Sequence, residues 1–380
     1  MLETVAQPQG AFERNWHGKS LAGLLDFARE IEASDVHLTV GMPPSFRVGI
    51  ELDTKVGEKE YPLLDIKSAN RIVEGLLNEY QRRRVASQHE IDLSVRTSRG
   101  SYRINIAHQS GSLALTARVV PSEIRRLESV GFPNEQIIGT IKSIEGGLVL
   151  VTGVTGSGKS TTLASIIDYI NQNDSRKIIT LEDPVEYIHH SKKSVVWQRE
   201  IGRDVRNFAR GVKYAMRQDP DVILVGEIRD AQTARAALSA AYSGHLVFST
   251  LHTRDSAATV GRYVDLFPQN EKGDIASQLS DNLEVVLSQQ LLPYRTVGRR
   301  ILAMEAMRVT PAIRNFISEM KPNMRGQIVS ALQTGRKIGS VSMDSRLVEL
   351  AREGKLDQET AVYYAIDRRS VASALDYSEL

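Results

Sequence analysis

Gly153-Val154-Thr155-Gly156-Ser157-Gly158-Lys159-Ser160-Thr161 fits the pattern G-x-x-x-x-G-K-[ST], and it stands between the apolar run Leu148-Val149-Leu150-Val151 and a helix-like stretch reaching about Asn171. A strand before and a helix after are the context this loop requires. Glycines let the backbone turn tightly, so that its N–H groups converge on phosphate oxygens, and the following helix adds the positive end of its dipole. Lys159 is placed to reach the β- and γ-phosphates of a nucleotide, and Ser160 offers a hydroxyl to Mg²⁺. The alternative is a Gly-rich turn that binds nothing, and the acids found downstream argue against it.

Asp219-Pro220-Asp221-Val222-Ile223-Leu224-Val225-Gly226-Glu227 is an apolar strand ending in an acid. Adjacent parallel strands would bring Glu227 beside the phosphate loop, where it can polarise an attacking water and assist the metal. Ile179-Thr180-Leu181-Glu182-Asp183-Pro184-Val185-Glu186 gathers carboxylates at another strand end. Clustered acids repel unless a cation lies among them, and Mg²⁺ is the simplest such cation. Glu182 and Asp183 are therefore candidates for its shell, together with Ser160 and Glu227, whereas Glu186 reads equally as a surface acid. His245 and His252 bracket the run Leu246 to Leu251. A histidine at a strand's carboxyl end can report a γ-phosphate, and for His245 a structural role is an equal reading.

Outward from the loop, β-type and helical runs alternate: Ile178 to Leu181, a helix near Val205 to Arg217, Val222 to Val225, a helix near Ala231 to Tyr242, and Leu246 to Ser249. That order predicts an α/β domain with a parallel sheet and ligands at the carboxyl ends of its strands. From Thr310 onward the pattern becomes a run of short helices. Upstream, Leu21, Leu24, Leu25, Ala28 and Ile31 recur at helical spacing, and Ile66 to Val85 reads as helical. The runs Val36 to Val40, Ile91 to Arg96 and Tyr102 to Ile106 alternate as strands, the last two joined as a hairpin through Ser98-Arg99-Gly100. Val120 to Pro133, with Pro121, Gly131 and Pro133, resembles a connector. The expected domains are therefore 1–119, a linker over 120–136, and 137–380.

A chain of 380 residues has room for two cores. With 48 basic and 46 acidic side chains, it is not a polycation that would bind nucleic acid by charge alone, so nucleic acid is not an expected partner. The absence of cysteine excludes disulfides, thiolate metal sites and cysteine nucleophiles. Residues 1–20 carry Glu3, Glu13, Arg14 and His17 and lack the apolar stretch of a signal peptide, and no run is long enough to span a bilayer. A cytoplasmic location is expected, with any membrane association made through partners.

Taken in order, the phosphate loop, the acidic box Leu181 to Tyr187, Gly226-Glu227-Ile228-Arg229-Asp230 and the His box Gly244 to Thr253 resemble the secretion-ATPase superfamily that powers type IV pili and type II secretion. Ser34-Asp35-Val36-His37-Leu38 and Gly41-Met42-Pro43-Pro44 are similar to the start of that family's PAS-like N-terminal domain, so the resemblance spans about residues 20–320. Within the family, the retraction branch of PilT and PilU type is the best match. The assembly branch carries a longer N-terminal region and a four-cysteine zinc insertion, which this chain is expected to lack. Ala312-Ile313-Arg314-Asn315-Phe316-Ile317-Ser318-Glu319 is similar to the branch's AIRNLIRE motif, departing at Phe316 and Ser318. The resemblance implies a PAS-like domain followed by a RecA-like ATPase domain with a helical tail. It further implies a homo-hexameric ring that hydrolyses ATP with Mg²⁺ and works on a pilus through an inner-membrane platform protein. Arg103 and Arg118 match family arginines that reach the nucleotide, each with an alternative reading as an exposed strand charge. A secretion or conjugation motor, or an accessory ring subunit switched by nucleotide, are the competing expectations.

Overall fold

The computed structural model describes residues 16–377 except 50, 56–60, 98, 121–122, 295–299 and 322. Glu3, Glu13 and Arg14, Ser98 of the expected hairpin turn and Pro121 of the expected connector lie outside the described residues. The chain is a mixed α/β protein with two sheets, and its contacts divide it into two units: Met1–Glu123 with Pro184–Ile188, and Ile124–Asp183 with His189–Leu380.

In the first unit, strands β1 (Asp35–Leu38), β2 (Ser45–Val48), β3 (Glu51–Asp53), β4 (Glu90–Thr97), β5 (Gly100–Gln109) and β6 (Ser112–Val119) form an antiparallel sheet in the order β3-β2-β1-β6-β5-β4. Alternation decides its faces. Val36, Leu38, Leu93, Val95, Ile104, Ile106, Leu115 and Ala117 are buried in one core with Leu21, Leu24, Leu25 and Ala28 of helix α1 (Leu21–Glu30) and Ile72 and Leu76 of α2 (Ile66–Leu76). The intervening residues Ser94, Arg103, Arg118, Asp35 and Arg47 lie in one row across five strands. The stretch expected as one helix over Ile66 to Val85 is two, because Leu77 turns extended and Asn78 starts α3 (Glu79–Gln88) with a capping box to Gln81.

The second unit is built on a seven-stranded sheet of order β13-β12-β7-β11-β10-β8-β9, with ranges β7 (Gly147–Thr152), β8 (Lys177–Glu182), β9 (Val195–Glu200), β10 (Val222–Val225), β11 (Leu246–Leu251), β12 (Leu283–Pro293) and β13 (Arg300–Arg308). All pairings are parallel except the β12–β13 hairpin. Helices cover both faces, so the central strands are buried on both sides and read as unbroken apolar runs. Leu148 and Leu150 point into one core with helices α6 (Phe208–Ala215), α7 (Ala231–Tyr242), α8 (Ser256–Asp265) and α9 (Lys272–Asn282), while Val149 and Val151 point into another with α4 (Glu135–Ser143) and α5 (Lys159–Asn173).

Strands β7, β8, β10 and β11 fall on the expected apolar runs, whereas β9, β12 and β13, like β2, β3 and β6 of the first unit, are additions to the expected pattern. The expected connector is also partly core: Leu127, Val130 and Phe132 are buried against α4 and α5, since their apolar side chains sit on a short turn of helix and its exit. The tail folds as α10 (Pro311–Glu319), α11 (Met324–Thr334), α12 (Met343–Arg352), α13 (Gln358–Tyr364) and α14 (Arg368–Ala374), as expected from Thr310 onward. Among the described residues no helix is long and apolar enough to cross a membrane.

Candidate active site

The phosphate loop leaves β7 at Thr152 and enters α5 at Lys159. Gly153 has φ 145°, and a Cβ there would lie 2.4 Å from Gln289 O and 2.4 Å from Ser157 Oγ, so this position requires glycine. Gly158, at φ 91°, is the residue before the helix and caps nothing with a side chain, which leaves the first-turn N–H groups for a ligand. Lys159 Nζ folds over the loop and donates to Gly153 O at 2.8 Å and Val154 O at 3.0 Å. Ser157 Oγ is buried without a hydrogen-bond partner, while Thr155, Gly156 and Ser160 are exposed. A buried hydroxyl left unpaired in a loop of this shape fits an oxygen-rich ligand.

The expected acids come to the same edge. β7, β11, β10 and β8 are neighbours in the sheet and parallel, so their carboxyl ends carry the loop, His252, Glu227 and Glu182 side by side. Beyond β10, Gly226 N–H donates to Leu181 O at 2.8 Å and Thr250 Oγ1 donates to Gly226 O at 2.7 Å, which pins the turn that presents Glu227. Its carboxylate, only 14% exposed, meets Arg229 Nε at 2.6 Å and His252 Nε2 at 3.6 Å. Glu182 Oε1 accepts from Thr180 Oγ1 at 2.6 Å and from Gln198 Nε2 at 3.2 Å. Asp183 follows it and is exposed. Among the described residues no group of three or more His, Asp or Glu side chains is placed to hold a metal unaided. The oxygen-only set Ser160, Glu182, Asp183 and Glu227 instead suits a hard cation that keeps waters and phosphate oxygens among its ligands.

Other candidates lie elsewhere. His245 sits at the amino end of β11, where Nδ1 is 3.0 Å from both Ala240 O and Ser243 Oγ, beside a cavity of about 430 Å³ lined in part by Glu145, Arg176 and Asp221. These bonds fit the structural one of its two readings, at the end of a parallel strand opposite to the end where ligands bind. Arg103 and Arg118 belong to the first unit, opposite each other on β5 and β6. Arg118 Nε pairs with Asp35 at 2.9 Å, and Arg103 approaches Asp92 at 3.9 Å and Glu186 at 3.8 Å. Burial works against the charge on Asp35, but hydrogen bonds from Arg118 and Ser34 outweigh it and hold the carboxyl below its ordinary range.

Sequence reasoning missed a polar layer behind the loop. Thr152 Oγ1 bonds Ser288 Oγ at 2.9 Å and Thr259 Oγ1 at 3.4 Å, Thr259 reaches Thr253 at 2.7 Å, and Gln289 Nε2 donates to Thr162 Oγ1 at 2.6 Å. These contacts join β12 and the start of α8 to the floor of the loop. The only signal in the sequence was Ser288-Gln289-Gln290 interrupting an apolar run.

With the loop, acids and histidine on one edge, the comparison with known proteins is direct. A family model described as type II/IV secretion system protein matches residues 20–353. The chain belongs to this secretion family. Among its relatives, the "Type IV pilus retractation ATPase PilT" of Pseudomonas aeruginosa is 41% identical over 339 residues, covering 89% of this chain and 96% of that protein. The "Twitching motility protein" of Neisseria gonorrhoeae is 42% identical over 301 residues, 79% of each chain. Among solved structures, the pilus retraction motor PilT with bound ADP superimposes with a TM-score of 0.83 at 38% identity, covering 92% of this chain and 98% of that one. In this member of the secretion family, the segment Ala312 to Glu319 forms α10, with Ile313 and Ile317 buried in the core and Ala312 exposed. Arg314 turns back to donate to Ser280 O and Asp281 O at the end of α9 and pairs with Glu284 at 2.6 Å.

Proposed function

We propose that this chain is a homo-hexameric ATPase motor that hydrolyses Mg-ATP to power type IV pilus retraction, the motion behind twitching. The observation that carries this reading is the convergence of the phosphate loop, Glu227, Glu182 and His252 on one sheet edge, in a chain 41% identical to a protein described as a pilus retraction ATPase. Its domains are read as PAS-like over 1–119, a linker over 120–136 and RecA-like over 137–380. The motor works from the cytoplasm on an inner-membrane platform protein.

Lys159 and the N–H groups of the first turn of α5 hold the β- and γ-phosphates. Glu227, steadied by Arg229 and facing His252, orients the attacking water and draws its proton. The water oxygen bonds to the γ-phosphorus as the bond to the β,γ-bridging oxygen breaks, giving ADP and phosphate. Ser160, Glu182, Asp183 and Glu227 supply ligands for Mg²⁺, which when bound neutralises charge on the phosphates. Arg103 and Arg118 are assigned to phosphate oxygens, a task that suits planar guanidinium groups.

Glu227→Gln tests the chemistry: nucleotide binding is retained while phosphate release falls about 10²- to 10³-fold, the cost of one oriented transition-state group. Parental turnover in that variant removes Glu227 from the mechanism. Deleting the gene tests the direction of work, since cells without a retraction motor keep or over-produce pili and cannot pull. Bald cells would make it an assembly motor, and normal pili with blocked export of another substrate would make it a secretion motor.

A further inference from the structure

Strand β9 is the edge of its sheet and carries none of the expected site residues, yet one of its side chains reaches the site. Gln198 lies opposite Thr180 in the parallel β8–β9 register, and Thr180 and Glu182 share a face of β8 because they are two residues apart. The amide therefore stands beside both. Its Nε2 donates to Glu182 Oε1 at 3.2 Å, the same oxygen that accepts Thr180 Oγ1 at 2.6 Å. Its Oε1 accepts the backbone N–H of His189 at 2.8 Å. The second bond fixes the first: flipping the amide would set its NH₂ against an N–H and its oxygen against a carboxylate.

His189 and Glu182 are the two stems of one excursion. Between them, Pro184–Ile188 clusters with the first unit, where Ser94 Oγ donates to Val185 O at 3.3 Å and Glu186 approaches Arg103 at 3.8 Å. One amide thus ties the stem on which the chain leaves β8 to the stem on which it returns.

We propose that Gln198 is a positioning residue for hydrolysis: it aims the Glu182 carboxylate and locks that aim to the point where the chain returns at His189. The proposal rests on the ATPase reading of Glu182 and extends it to a residue outside the recognised motifs. Gln198 acts through Glu182, and its bonds to Glu182 and His189 engage no residue of the phosphate loop, so its removal lowers turnover without weakening the hold of the loop on the nucleotide.

The experiment measures kcat and KM for ATP on the full chain carrying Gln198→Met, Glu182→Gln or both. Met keeps the length and volume of Gln and removes its bonds to Glu182 and His189. Q198M is expected to lower kcat about ten- to a hundredfold, the effect of one hydrogen bond to a charged group, with KM within about twofold. In the Glu182→Gln background it is expected to add nothing, because the two side chains act as one unit. Parental kcat in Q198M, or losses that multiply in the double variant as they would for an independent packing defect, overturns the proposal while leaving Glu182 its role. Parental turnover in Glu182→Gln overturns the proposal and the reading of Glu182 together. If Q198M does not fold, Gln198→Glu takes its place. That variant keeps the acceptor for His189 N–H and sets a second carboxylate against Glu182 in place of the donor, so it must lose at least as much kcat or the proposal fails.

Discussion

Arg314 lies in a segment that resembles a motif tied to retraction, and its contacts give it a structural task that can be sized. Replacing it with alanine removes donors to Ser280 O and Asp281 O, two of the last carbonyls of α9, which otherwise have no partner within the helix. At about 1 kcal/mol per bond the two contribute roughly 2 kcal/mol. The cation at a helix C-terminus adds about 0.5 kcal/mol. The pair with Glu284 adds about another 0.5 kcal/mol and no more, because Arg314 and Glu284 are 29% and 33% exposed and the abandoned carboxylate rehydrates. The expected loss is thus roughly 3 kcal/mol, which denaturant unfolding followed by circular dichroism reads as a lower midpoint. Arg314 is remote in sequence from the loop and bonds none of the active-site groups, so the folded variant should hydrolyse ATP near the parental rate at moderate temperature. Arg314→Lys should recover part of the stability, since a single ammonium keeps the charge and not the fork. The reasoning is refuted if Arg314→Ala unfolds at the parental midpoint yet abolishes twitching. That result would mean the guanidinium leaves α9 to meet a partner.

Gly153→Ala should weaken nucleotide binding at least tenfold, because the new Cβ would lie 2.4 Å from Gln289 O and Ser157 Oγ and the loop must open to admit it. Titration with a fluorescent ATP analogue measures this, and parental affinity would show that the loop does not need its present shape. Glu305 is fully buried on β13, where it accepts N–H bonds from Ser256 at 2.7 Å and Met343 at 3.1 Å, the first residues of α8 and α12. Burial pushes its carboxyl above the ordinary range despite those bonds. The folded protein then holds the proton more tightly than the unfolded chain does. The resulting stabilisation is complete below the unfolded value of about 4.3 and is lost as pH rises through the folded value. The stability of the parent relative to Glu305→Gln should therefore decline as pH rises above about 4, and a difference that stays flat up to neutrality would show that burial does not raise this carboxyl.

What the sequence disclosed was what chain neighbours decide. The phosphate loop is legible because its glycines, its lysine and its flanking strand and helix are contiguous, and Glu227 and Glu182 are legible because each closes an apolar run. Of the two histidines bracketing β11, strand direction selects His252, a choice already implicit in the parallel order of the runs. Helical spacing puts Ala312, Ile313, Phe316 and Ile317 on one apolar stripe, of which Ile313 and Ile317 are buried, Phe316 is half-buried and Ala312 is exposed, but nothing nearby says that Arg314 would meet carbonyls more than thirty positions back. Gln198 was hidden for the same reason: its strand is half exposed, as an edge strand is, and its partnership with Glu182 exists only once β8 and β9 are in register. The missed strand β12 is the most instructive case. A central strand that only packs hydrophobic layers reads as an apolar run, as Leu148 to Val151 does. β12 lies beside β7 and must also supply Ser288 to Thr152 and Gln289 to Thr162 directly behind the phosphate loop, so polar residues occupy its middle. Those side chains are buried, and the bonds from Thr152 to Ser288 and from Gln289 Nε2 to Thr162 offset part of the cost only in the folded state, while Gln289 Oε1 stays without a partner. The strand's pattern was obscured by the residues through which it supports the site, and for that reason an interrupted apolar run next to a phosphate-binding loop is better read as a strand with a second task than as no strand.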